Sequence, residues 1–148
     1  MDFLASLHPV IIHFPIVLFI VYSIFEILDR NSKNYDYSKI AVGILLAGVL
    51  TGMFALLTGN SAAQSAVPLS ESAKEILDLH ESNATFMIFF YITLAAFRIW
   101  MQLKKKITHK IRMAFIILSI FGWILIYNTG NAGAILVFKH AVGVTIPK

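Results

Sequence analysis

Leu7-His8-Pro9-Val10-Ile11-Ile12-His13-Phe14-Pro15 opens an apolar run that continues to Leu28. From Pro9 the run is about 20 residues long, the length a bilayer core of ~30 Å demands of a helix. Two imidazoles stand where it begins, and a polar ring in hydrocarbon needs a partner. Pro9 suits a first helical turn, where a missing N–H costs nothing. Pro15 lies inside the run and is expected to bend the helix or free a carbonyl.

Three further segments have the same character: Ile40–Leu57, Ala84–Leu103 and Ile111–Tyr127. The chain has 148 residues, 58% of them hydrophobic and 14% charged, against roughly 25% charged in a soluble domain. The expected fold class is all-α. It is an integral membrane four-helix bundle, up-down-up-down, forming a single domain over residues 1–148 with spans at about 9–28, 40–57, 84–103 and 111–127. The first span reads as retained rather than cleaved, since no basic n-region or small-residue cleavage site accompanies it. Leu69–Ser82 has helical spacing, with Ser70 as a possible N-cap, and reads as the water-exposed start of the third helix. Thr58-Gly59-Asn60 and Thr129-Gly130-Asn131 read as helix stops. The apolar tail from Ala132 is then left to lie at the interface or fold over the outer face.

Arg30, Lys33, Lys39, Arg98, Lys104, Lys105, Lys106, Lys110 and Arg112 account for nine of the 12 basic residues and fall on one side of this topology. The positive-inside rule assigns that side to the cytoplasm, so both termini face outward from a bacterial inner membrane. The net charge of +4 is therefore topological rather than a nucleic-acid footprint. With no cysteine, thiolate metal sites, disulfides and covalent haem attachment are excluded. No nucleophile–base pair, phosphate loop or paired membrane carboxylate stands out, so the chain reads as a binding or redox subunit rather than an enzyme by itself.

The two halves repeat. His8 matches His80, Phe14 Phe86, Phe19 Tyr91 and Glu26 Arg98 at an offset of 72, while the two Thr-Gly-Asn triplets match at 71. Two duplicated hairpins in one orientation imply a pseudo-twofold axis along the membrane normal. Glu26 and Arg98 can pair inside the bundle or each snorkel to the headgroups; both readings stand.

The topology brings His8, His13, His80 and His140 to the outer side and leaves His109 among lysines in a solvated loop. His8 and His80 should sit at matched depth on parallel, diagonal helices, the arrangement that axial ligation of a haem needs. His13 lies about 7.5 Å further along the helix and points roughly 140° away, so it would serve a second site with His140 or support the first. The same imidazoles could instead hold copper or zinc. The plain alternative is interfacial histidines bonded to backbone carbonyls, which suits one such residue better than four.

These motifs resemble those of the domain-of-unknown-function 2231 family of small bacterial membrane proteins. The resemblance rests on His8-Pro9 with His13-Phe14-Pro15, the Thr-Gly after the second span, a histidine opening the third helix, and the closing Thr129-Gly130…Gly133…Leu136-Val137-Phe138-Lys139-His140-Ala141-Val142-Gly143-Val144. Relatives usually carry a second glycine after Gly133 and a glycine at the place of Ala141. The resemblance implies a four-helix membrane domain whose motif histidines match His8, His13, His80 and His140. Related domains near cytochrome domains point the cofactor toward non-covalent haem b. The expectation is a cytochrome-like electron-transfer subunit of a larger redox complex or homo-oligomer, with a c-type cytochrome or quinone as partner. The alternatives are a copper or zinc membrane protein and a cofactor-free assembly subunit.

Overall fold

The computed structural model describes residues 3–32, 36–66 and 68–144. The described residues form α1 (Phe3–Ile11), α2 (His13–Asn31), α3 (Ser38–Ser65), α4 (Glu71–Leu103) and α5 (His109–His140), with no strand among them. α1 and α2 together make one membrane-length segment, so four segments are long and apolar enough to cross a bilayer. Lys33, one of the nine basic residues that set the expected orientation, lies outside the described residues.

The defect expected from Pro15 leaves the backbone helical: Ile12 has φ −58° and ψ −26°, so α2 continues α1. Pro15 has no N–H for the carbonyl of Ile11, and its ring crowds that carbonyl, a defect of ~3 kcal/mol or more in a continuous helix. Ile12 N still reaches the carbonyl of His8 at 3.2 Å, so the loss is confined to the Ile11 carbonyl, which Pro15 leaves without its helical donor. The start of the third helix is as expected: Ser70 caps α4, its hydroxyl accepting from Ala73 N at 3.2 Å.

The Thr-Gly-Asn triplets do not stop their helices. α3 runs on to Ser65 and α5 to His140, so the tail is more helix rather than a flap over the outer face. One glycine in a helix costs only ~1 kcal/mol. Each threonine returns its hydroxyl to its own helix, Thr58 to the Ala55 carbonyl at 3.0 Å and Thr129 to Leu125 at 2.9 Å, so nothing polar forces an exit. α5 ends instead at Ala141, whose left-handed φ of 51° closes the helix with bonds back to Val137 and Leu136. This is the position where a glycine would be at ease.

Four segments arranged in a square explain the core. The α1–α2 segment and α4 each pack against α3 and α5, but their own backbones do not approach each other, so they are diagonal. They meet through side chains on the central axis. Pro15, Phe19, Tyr22 and Glu26 are buried on α2, and Met87, Tyr91, Leu94 and Arg98 are buried at the matching positions of α4. The alternating steps of four and three put each set on one helix face. Phe19 and Tyr91 stack in parallel with ring centroids 3.5 Å apart. The outward faces carry Leu50, Leu57, Phe86, Phe89 and Ile117, each at least 59% exposed, and contiguous apolar surface of this kind fits lipid rather than water.

Candidate functional site: a histidine pair on the bundle axis

The axis ends differently at its two extremities. At the basic end, Arg98 and Glu26 are fully buried and joined Nε to Oε1 at 2.6 Å. Arg98 also donates to Ser38 Oγ at 2.8 Å and Gln102 Oε1 at 3.0 Å, and its guanidinium lies 5.2 Å from the Phe115 ring centre. Asp29 stands 3.9 Å from Arg98 and pairs with Arg112. The two cations and two carboxylates cancel within the bundle, so the pairing reading, not snorkelling, describes Glu26 and Arg98. A buried pair of this quality survives because every charge has a partner.

At the other end, His8 on α1 and His80 on α4 are half-buried and close enough to interact electrostatically. His8 Nδ1 lies 3.1 Å from Thr58 Oγ1. That hydroxyl already gives its proton to Ala55, so it accepts here and Nδ1 is the donor. His80 Nδ1 lies 3.0 Å from the carbonyl of Thr129, which can only accept. Both rings are thereby fixed as the tautomer with a bare Nε2, the form that ligates metals, with its second nitrogen bonded behind it. His8 also bonds the backbone of Ala55, the residue whose carbonyl takes the Thr58 hydroxyl.

Glycine makes room for each ring. A Cβ on Gly59 would sit 3.0 Å from His8 Cε1, and one on Gly133 would sit 3.1 Å from His80 Cε1. The same relation holds deeper in the core, where Gly48 faces Phe19 and Gly122 faces Tyr91. The structural repeat of α3 onto α5 therefore runs at an offset of 74, one turn beyond the 71 that aligns the triplets. Gly130, the triplet's own glycine, faces open space. The sequence marks Gly48 as part of a close-packing surface of the second span, but sequence reasoning gave Gly122 and Gly133 no such part because it aligned the helices at 71. The equal spacing of these glycines on the two helices was the signal that could have found them.

The other candidates are not drawn in. His13 is exposed at the start of α2, His140 is half-buried at the last residue of α5, and His109 is exposed at the opposite end. Phe14 and Phe86, candidates to flank a macrocycle, are 54% and 59% exposed. Among the described residues no group of three or more His, Asp or Glu side chains is gathered closely enough for one metal ion. The site that the fold assembles has two imidazoles. Small residues surround them, Ala62 and Ala63 following Gly59 and Ala132 and Ala134 flanking Gly133.

Over residues 5–146 the chain matches the family described as "Predicted membrane protein (DUF2231)". No curated protein and no solved structure matches it.

Proposed function

This chain belongs to the DUF2231 family of predicted membrane proteins, and on that premise we propose that it is a b-type cytochrome-like electron-transfer subunit. His8 and His80 would hold one non-covalent haem through their Nε2 atoms. The observation that carries the reading is the pair of Nδ1 contacts to the neighbouring helices, which leaves Nε2 as the nitrogen that can ligate at matched positions on diagonal helices. Gly59 and Gly133 let the His8 and His80 rings lie against the backbone of the neighbouring helices, which fixes both rings in place. When bound, haem supplies one-electron chemistry. The protein's part is to hold both imidazoles by their Nδ1 bonds, which raises ligand basicity, and to exclude water with the apolar floor of Pro15, Met87 and Ile88.

The basic end faces the cytoplasm under the positive-inside rule, which puts the histidine end on the outer side of a bacterial inner membrane. There a c-type cytochrome or a membrane quinone can exchange electrons with it. His13 and His140 take supporting positions at the rim rather than ligand positions. A copper or zinc centre would draw on the same two imidazoles but needs further donors, and none is gathered with them among the described residues.

The test is a reduced-minus-oxidised visible spectrum of detergent-purified protein, with metal analysis on the same sample. Sharp Soret and α bands, lost in His80→Ala and retained in His109→Ala, are expected. A colourless preparation with stoichiometric copper or zinc would contradict the haem assignment.

A further inference from the structure

The cations of the basic end fall into two sets. Arg98 and Arg112 are consumed inside the bundle by Glu26 and Asp29. Arg30 is not. It is half-buried in the last turn of α2, and its Nε is buried without a hydrogen-bond partner. A guanidinium that has lost water and gained no acceptor is costly unless an anion meets it. Its direction follows from the heptad spacing. Arg30 comes seven residues after Ser23, whose Oγ accepts from Trp123 Nε1 of α5 at 3.0 Å, so both stand on the α2 face turned to α5. This seam lies between the two hairpins and is packed less extensively than the seam inside either one. Ile20 and Ile27, also seven residues apart, and Trp123 border it, and all three are exposed, so an apolar furrow leads along the lipid face to Arg30. Lys104, Lys105, Lys106 and Lys110 stand exposed around the turn into α5, and no carboxylate pairs with them among the described residues.

We infer that the α2–α5 seam is a binding site for an anionic phospholipid of the cytoplasmic leaflet, with Arg30 on the phosphate and an acyl chain along Ile27, Trp123 and Ile20. The planar guanidinium suits phosphate because it donates two parallel bonds. The lysines raise the local concentration of anionic headgroups, and Arg30 with the furrow fixes the place. The site lies at the opposite end of the axis from His8 and His80 and does not rest on the haem reading.

Trp123 reports on the seam. Trp100, the other tryptophan, comes nine residues after Tyr91, about half a turn around α4 at 3.6 residues per turn, and faces away from the axis. Trp100→Phe and Trp123→Phe therefore give full-length proteins with one reporter each. They are placed in phosphatidylcholine nanodiscs that carry a minor fraction of lipid brominated on its acyl chains. Brominated phosphatidylglycerol should quench Trp123 about fivefold more than the same fraction of brominated phosphatidylcholine, the factor one basic side chain near an anionic surface supplies. Trp100 should show a smaller preference. In the Trp100→Phe protein, Arg30→Gln should remove most of the Trp123 preference. Lys39→Gln, which deletes an exposed cation at the start of α3, should leave it. Equal quenching of Trp123 by the two lipids would overturn the site. Equal losses from Arg30→Gln and Lys39→Gln would also overturn it, by reducing it to diffuse attraction. Relief of the quenching by inorganic phosphate would do the same, by making the seam a site for a free anion.

Discussion

Glu26 and Arg98 stand 72 positions apart at equivalent places in the repeat, and so do His8 and His80, yet the two pairs behave in opposite ways. The first pair satisfies itself, cation against carboxylate, at zero exposure. The second pair does not. Both rings turn Nδ1 to the helix beside them, and what remains on each is a lone pair. Two lone pairs cannot bond to each other; each accepts from a donor such as water or, on the proposed reading, ligates a haem iron. The repeat thus carries an ion pair at one end of the axis and two like imidazoles at the other, where equivalent positions hold opposite charges in one case and the same side chain in the other.

The comparison is broken most forcefully at the ion pair. Arg98→Met strands Glu26 in the core, while Asp29 keeps Arg112, and is expected to destabilise the bundle by about 3–5 kcal/mol, read as thermal unfolding in detergent. The double variant Glu26→Gln/Arg98→Met should recover part of that loss. A single variant as stable as the wild type would mean the pair holds nothing. Haem binding by whatever fraction remains folded should persist, since the ion pair and the imidazoles are separate.

A second contrast lies along the axis between glycines that face a ring and those that do not. Gly122→Ala sets a methyl against the Tyr91 phenol and should cost about 1–3 kcal/mol. Gly130→Ala meets open space and should be neutral or stabilising by up to ~1 kcal/mol. Equal melting shifts for the two would contradict the offset of 74. The smallest effect separates the two imidazoles. Thr58→Val removes the hydroxyl that His8 uses and should cost about 1 kcal/mol, while Thr129→Val leaves the carbonyl that holds His80. Nitrogen chemical shifts of the rings should change for His8 in the first variant and stay fixed for His80 in the second.

Much of this was legible in the residues. Span length, the basic flanks and the 72-residue offset led to four helices, two hairpins and a diagonal His8–His80 pair, since apolar length and duplication leave marks in a linear sequence. Ser70 was legible as a cap because capping is local. The Thr-Gly-Asn triplets misled because glycine and asparagine carry a local preference that tertiary packing overrides when the threonine hydroxyl bonds within its own helix. The pairing of Glu26 with Arg98 depended on which way two side chains turn, which spacing alone left open. The glycine seats were hidden because their partners lie on other helices. His13 was placed at the right end of the bundle, and it is exposed, as a residue about 140° around the helix from His8 should be.

The central claim is that the histidine end is a two-imidazole receptor. The most direct test is a haemin titration of the purified apoprotein, followed by low-temperature electron paramagnetic resonance, on the wild type, His8→Ala and His80→Ala. The account predicts saturation at one haem per chain with the low-spin signal of two axial imidazoles. It predicts a high-spin signal in His8→Ala and loss of specific binding in His80→Ala. Saturable low-spin binding that survives both substitutions, or no binding by the folded wild type, would contradict it.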